Sequence, residues 1–242
     1  NQDLEELPYW ETIQDVFIEI KTDELRNIQK YIVKALIRSK MFDKFRYNGK
    51  FQVLVDGTGI ASFNYKHCEH CLVKKHSEGN ITYEHHVLEA KLVFSSFVLS
   101  IDSEFIENPN QDVIHIKKQD CEMNAFKRMA KRLKSNFPKL KFIITADALY
   151  ASGPFIKICL DNNWDYIFRL KSDKLKTVNQ DFDGIISITS GTKHKNYFLV
   201  KDYIYNKYKF NIIRYIEKTK NKKDKIFTYI TNLTISDNNI KQ

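Results

Sequence analysis

Apolar positions along the chain switch period several times, and each switch marks an element. From Thr22, a suitable N-cap followed by Asp23 and Glu24, apolar residues recur at Leu25, Ile28, Ile32, Ala35 and Leu36. That spacing predicts an amphipathic helix, and Lys30, Lys34, Arg38 and Lys40 make much of the remainder basic. The stretch FQVLVDGTG then reads as a strand from Phe51 to Val55 that ends on Asp56, with Gly57 and Gly59 letting the backbone turn beyond it. HHVLEAKLVFSS and FVLSIDSEFI predict two more strands joined at Ser95 and Ser96, an antiparallel meander with the first. A helix begins near Asp120 as N-cap, carries Phe126, Met129, Ala130 and Leu133 on one face, and is ended by Pro138.

The stretch KFIITADALYASGP follows as a short buried strand ending on Asp147. Ser152 then caps a helix with Pro154 in its first turn and Phe155, Ile156, Cys159 and Leu160 facing inward. WDYIFRLK is a further strand, and beyond Lys171 the segments GIISIT, KNYFLVKDYIY, YKFNIIRYIE and KIFTYITNL all read as β, with no helical period among them. The resulting order, β-β-β-α-β-α-β and then a β-rich block, predicts an α/β fold in which a mixed sheet is flanked by helices. Three regions are expected: a helical segment over 1–48, a core over 49–176 and a β-rich insertion over 177–242.

A chain of 242 residues with 43% hydrophobic content can bury a full core. No apolar run approaches the roughly 20 residues that span a bilayer, and no secretory leader opens the sequence, so a soluble cytoplasmic protein is expected. The net charge of +9 is spread along the chain, which favours a polyanionic partner without naming one. Four cysteines are too few for a disulfide scaffold and suit a reducing compartment. The Asn at position 1 and the closing TNLTISDNNIKQ suggest a fragment at both ends.

An ionised group at the tip of a strand as apolar as Phe142, Ile143 and Ile144 calls for a partner charge. In a ribonuclease H-like β-β-β-α-β arrangement the first and fourth strands lie parallel and adjacent, so Asp56 and Asp147 would meet although far apart in sequence. Such a pair can share divalent ions about 3.5–4 Å apart for phosphodiester chemistry. Either aspartate alone is more simply a turn or cap residue.

VLVDGTG, HHVLEAKLV, QDCEMNAFKRMAKRL and IITADALYASGP together resemble the core of DDE transposases of bacterial insertion sequences, and the likeness runs from about Leu7 to the end. The resemblance implies a ribonuclease H-like fold and Mg²⁺- or Mn²⁺-dependent nicking and strand transfer on double-stranded DNA by an Asp, Asp, Glu triad. It also implies a nucleoid-associated bacterial protein and a homodimer in the DNA complex. By position, Asp56 and Asp147 match the two aspartates. The subgroup it resembles carries a β-rich insertion before the glutamate, which matches the block from about Thr177. That glutamate lies on a helix in a Tyr-x2-Arg-x3-Glu-x6-Lys pattern, which this chain lacks. Glu217 is the one stand-in, but Arg214 is three residues before it, Asn211 replaces the Tyr, and the local period is β, so it reads as a surface strand residue. The third carboxylate is therefore expected beyond Gln242, and the chain by itself is expected to hold metal weakly and cut poorly. Glu122 could supply an outer carboxylate, the plainer reading being that it complements the helix dipole. A DNA-binding remnant or regulator, and a nuclease that never transfers strands, are the alternatives.

Two further features stand beside the acids. Cys68 and Cys71, with His67, His70, His76, His85 and His86 nearby, are half of a tetrahedral Zn²⁺ site that Cys121 or a later histidine would complete. An ordinary reduced loop is the default there, and a redox dithiol lacks its usual strand-then-helix setting. Lys127, Arg128, Lys131, Arg132 and Lys134, and KNKKDK at 220–225, are candidate phosphate contacts or plain solvated charge. Tyr203, Tyr205 and Tyr208 could stack on bases, the simpler role being in the sheet.

Overall fold

The computed structural model describes residues 8–108, 119–188, 197–218 and 224–236. Two compact units divide the chain, residues 1–44 and residues 45–242. The first holds α1 (Trp10–Glu19) and α2 (Thr22–Arg38). The N-cap of α2 is Lys21 rather than Thr22, and its backbone N–H donates to Glu24 Oε2 at 3.1 Å, so the acid at the third helical position closes the helix start. In α1, Trp10, Ile13, Val16 and Phe17 are exposed. No helix among the described residues is long and apolar enough to cross a membrane.

The second unit is organised on one sheet. Strand β1 (Phe51–Phe63) buries Phe51, Val53 and Val55 and pairs antiparallel with β3 (Ile81–Val93). β3 pairs antiparallel with β4 (Val98–Ile106) and with the short β2 (Leu72–Lys75). On its other side β1 runs parallel to β5 (Phe142–Ala146), and β5 runs parallel to β6 (Asp165–Leu170). The order β4-β3-β1-β5-β6, in which β3 alone runs against the rest, is the expected ribonuclease H-like mixed sheet.

Helices cover this sheet because their apolar residues fall on one side. α3 (Glu122–Asn136) buries Ala125, Phe126, Met129, Ala130 and Leu133, and α4 (Gly153–Asp161) buries Phe155, Ile156 and Cys159. Phe126 meets the rings of Tyr150 and Phe155 at 5.8 and 5.4 Å. Each fully buried aromatic of this kind contributes on the order of 1.5–3 kcal/mol through burial alone. The N-cap of α3 is Cys121, one residue beyond Asp120, and Ser152 holds the N-cap position of α4 without a side-chain cap bond.

Two corrections concern lengths and types. β1 does not end on Asp56 but continues to Phe63, because β3 keeps pairing with it after β5 has stopped. GIISI, over 184–188, is not a strand: it closes α5 (Lys176–Ile188), which buries Val178 and Phe182 one helical turn apart, while the Thr of GIISIT lies outside the described residues. The remaining β segments are β7 (Tyr197–Tyr205), β8 (Tyr208–Glu217) and β9 (Lys225–Thr231). They extend the same sheet, since β9 pairs antiparallel with β6 and is followed outward by β8 and β7.

Candidate active site

Val55 and Ala146 form the last parallel pair of β1 and β5, so Asp56 and Asp147 each follow that pair: Asp56 still within β1, opposite Glu89 of β3, and Asp147 just past the end of β5. The strand alternation buries Val53 and Val55 and turns Leu54 and Asp56 to the exposed side. Asp147 is exposed as well, at the start of a 3-10 turn over Ala148–Tyr150, where its Oδ1 accepts the Leu149 N–H at 2.8 Å. That turn sends Tyr150 back into the core, fully buried. Its hydroxyl donates to Glu122 Oε2 at 2.9 Å.

Glu122 is the first residue of α3, and its carboxyl lies on the bare face of Gly57, the residue after Asp56. A Cβ at Gly57 would stand 2.7 Å from Glu122 Cδ and Oε1. Burial pushes the Glu122 carboxyl above its ordinary range, and the negative charges of Asp147 and Asp56 add to this against the bond from Tyr150. Burial, then the charge of Glu122, likewise pushes the Tyr150 phenol far up, with Asp147 and Asp56 contributing, so it stays a donor. Glu122 therefore feels the charge of both aspartates, and the three acids form a trio around it.

His86 borders this trio. It pairs with Gly59 across β1 and β3, its Nε2 donates to Glu84 Oε2 at 2.9 Å, and its charge favours the ionised form of Glu122. Burial works to raise the Glu84 carboxyl, but hydrogen bonds from His86, Lys74 and Thr82 win and hold it below its ordinary range. Two open grooves meet at Glu84 and His86, one along Gly59–Ser62 of β1 and one beside β2 and Asp120.

The other sequence-designated residues fall elsewhere. Arg128 pairs with Glu104 and, at 2.7 Å, with Asp120, while Arg132 pairs with Glu104 and, at 3.2 Å, with Asp102. Asp102 and Glu104 are buried on β4, so these arginines neutralise interior acids and fasten α3 to the sheet. Lys127 and Lys131 remain exposed on α3, and Lys134 donates to the Asn162 carbonyl. Tyr203 donates to Asp181 on α5 at 2.6 Å, and its phenol is pushed up to about 12 by burial and then by that carboxylate. Glu217 is exposed at the end of β8, opposite Lys225. Most of KNKKDK lies outside the described residues. Cys68 and Cys71 converge on His85, and Cys121 is not part of that cluster.

No protein-family model and no curated protein matches the chain. Among solved structures, the NurA nuclease from Sulfolobus solfataricus aligns at a TM-score of 0.40 and 12% identity over 95% of this chain and 83% of that one. Ciona intestinalis Endonuclease V, in complex with a 24mer DNA containing an inosine followed by a ribo-adenosine, aligns at 0.31 and 12% over 74% and 70%. Both likenesses are too distant to carry a reaction across.

Sequence reasoning met Glu122 as an outer carboxylate or, more plainly, a complement to the helix dipole, placed His86 only beside the cysteines, and passed over Tyr150 and the packing role of Gly57. The available signal was topological: a helix entering after the third strand must start near the end of the first.

Proposed function

We propose that Asp56, Asp147 and Glu122 form the metal-dependent phosphodiester-cleaving centre of a DNA-processing enzyme, the catalytic core of a DDE-type transposase. One observation carries this reading: Asp56 and Asp147 each follow the last parallel pair of two adjacent strands, and a third acid, Glu122, packs its carboxyl on Gly57, where the charges of both aspartates reach it. The donor set is all oxygen, which suits Mg²⁺ or Mn²⁺. The three carboxyls are not drawn together into a closed ligand set, since their oxygens do not all lie within 4.8 Å of one another, but the charges of Asp147 and Asp56 both reach Glu122, and a cation between them would offset that repulsion. A divalent ion bound there supplies Lewis-acid polarisation and charge neutralisation for displacement at phosphorus.

The protein's own groups have separate tasks. Asp56 and Asp147 bind, and the Leu149 N–H orients the Asp147 carboxylate. Tyr150 fixes Glu122 by its hydrogen bond and, remaining protonated, adds no further charge. Lys127 and Lys131, exposed on the same helix as Glu122, supply phosphate contacts.

The resemblance of VLVDGTG and IITADALYASGP to transposases favours strand transfer. Glu122 favours a second reading, a nuclease that stops at hydrolysis, because it completes an acidic trio without any residue of the β-rich block. The test is Mg²⁺-dependent nicking of duplex DNA by the chain and its Asp147→Asn variant. Loss of at least about 100-fold in the variant is expected from removing a metal-binding carboxylate, and undiminished cutting would end the proposal. Joining of a 3′-hydroxyl end to a second duplex separates transposase from nuclease.

A further inference from the structure

The loop between β1 and β2 folds so that Cys68 Sγ and Cys71 Sγ stand 3.8 Å apart. His85 of β3 presents Nε2 to both, 3.5 Å from Cys68 Sγ and 3.4 Å from Cys71 Sγ. Among the described residues this is the only group of three His, Cys, Asp or Glu ligand atoms lying within 4.8 Å of one another. A disulfide requires sulfurs about 2.05 Å apart, so these are two thiols and not a bridge. In a tetrahedron with Zn–S near 2.3 Å and Zn–N near 2.0–2.1 Å, sulfur–sulfur edges are about 3.8 Å and sulfur–nitrogen edges about 3.5–3.6 Å. The three observed separations match those edges.

We propose that Cys68, Cys71 and His85, completed by His67, bind one structural zinc ion. Backbone donors already address the sulfurs as they would thiolates: the His70 N–H donates to Cys68 Sγ at 3.3 Å and the Cys68 N–H to Cys71 Sγ at 3.4 Å. The turn carrying them is braced by buried Asn108, whose side chain donates to the Cys71 carbonyl at 2.9 Å and whose N–H donates to the His70 carbonyl at 3.1 Å. The other nearby histidines are engaged elsewhere: His70 Nδ1 with the Asn108 carbonyl, His76 with Thr82 and His86 with Glu84. His67 lies outside this group, stacked on Phe63 with its ring centre 6.3 Å from that of His85, and we assign it the fourth position as the nearby histidine whose ring would have to turn to reach the ion.

The ion would clamp the β1–β2 loop to β3 one residue before His86, which borders the acidic trio. It is a fastening site, closed by four protein ligands, and its existence does not depend on what the acids do.

The experiment is elemental analysis of the purified full chain, with Co²⁺ substitution to report thiolate ligation by absorption. One zinc per chain is expected, falling below about a tenth in Cys68→Ser, Cys71→Ser and His85→Ala and retained in His85→Cys, since thiolate also ligates zinc. Cys121→Ser and His76→Ala should keep the full complement. His67→Ala should weaken zinc at least tenfold in chelator competition, and an unchanged affinity would remove His67 from the site. Should a ligand variant not fold, thiol titration of the unaltered protein decides: two of its four cysteines must become reactive only after chelation. Absence of zinc, equal reactivity with and without chelator, or zinc loss in Cys121→Ser would overturn the proposal.

Discussion

Gly57→Ala perturbs the acidic site without touching an ionisable group. Gly57 is not among the glycines with positive φ, which are Gly49 and Gly79, so the backbone accepts an alanine and only the space does not. The new Cβ would meet Glu122 Cδ and Oε1 at 2.7 Å, where ordinary contact begins at 3.4 Å, so the carboxyl must retreat by the difference, about 0.7 Å. Retreat pulls Glu122 Oε2 from the Tyr150 hydroxyl, now 2.9 Å away. A hydrogen bond to a charged group is worth about 1.5–3 kcal/mol, and its partial loss at a half-buried site should cost about 1 kcal/mol. That lowers Tm by about 2–4 °C for a unit of this size. A reacting group misplaced by close to an ångström loses up to about 100-fold in rate, so nicking should fall roughly 10- to 100-fold. The assay pairs nicking rates with thermal melts in a double-mutant cycle. In a Glu122→Ala background nothing remains to clash with, so adding Gly57→Ala should change stability by no more than about 0.5 kcal/mol. Equal losses in both backgrounds, or unimpaired nicking by Gly57→Ala alone, would refute the packing argument.

Glu122→Gln keeps an acceptor for Tyr150 but removes a crowded charge, so without divalent ions its Tm at neutral pH should rise by about 1–3 °C while cutting falls. Because the folded carboxyl lies above its unfolded value, its contribution is most favourable in acid and is lost as pH rises through the raised value. The stability gap between Glu122→Gln and the unaltered chain should therefore widen from acid towards neutral pH, and a flat difference would contradict it. Arg132→Ala takes a guanidinium away from Asp102 and Glu104, which are only 4% and 7% exposed, with Arg128 still on Glu104, and should cost up to about 3 kcal/mol in denaturant unfolding. Lys127→Ala and Lys131→Ala should leave stability within about 0.5 kcal/mol. Each should instead reduce the salt slope of DNA binding by about 0.9, and an unchanged slope would remove that lysine from the interface.

What could be read without coordinates was what rests on period and order. The strand pattern of β1, the apolar run of β5, the apolar face of α3 and the β-β-β-α-β sequence led to the sheet and to the adjacency of Asp56 and Asp147. The helical period of α5 was present at Val178, Phe182 and Ile185, but GIISI taken alone is an apolar run typical of strands. Strand β1 was read too short because Gly57 and Gly59 signal turns, whereas Gly57 makes room for Glu122 and β3 keeps pairing with the strand through a register irregularity between Gly59 and Ala61. Arg128 and Arg132 looked like a basic face because nothing local reveals that Asp102 and Glu104 face them from another strand. The third ligand of the Cys/His cluster was equally hidden, since His85 and His86 are adjacent in sequence and strand geometry sends them to opposite faces.

The direction of β9 has a consequence for how far the chain must travel. It runs against β6, and after Thr231 the side chain of Asn232 meets Tyr166 N–H and Asp165. Asp165 lies level with Ile143, four residues below Asp147 on the neighbouring strand. Any later residue that joined Asp56 and Asp147 would have to climb about 13 Å back along the sheet, the length of a helix of about nine residues. Glu122 makes no such journey, because its helix starts where the two aspartates already are.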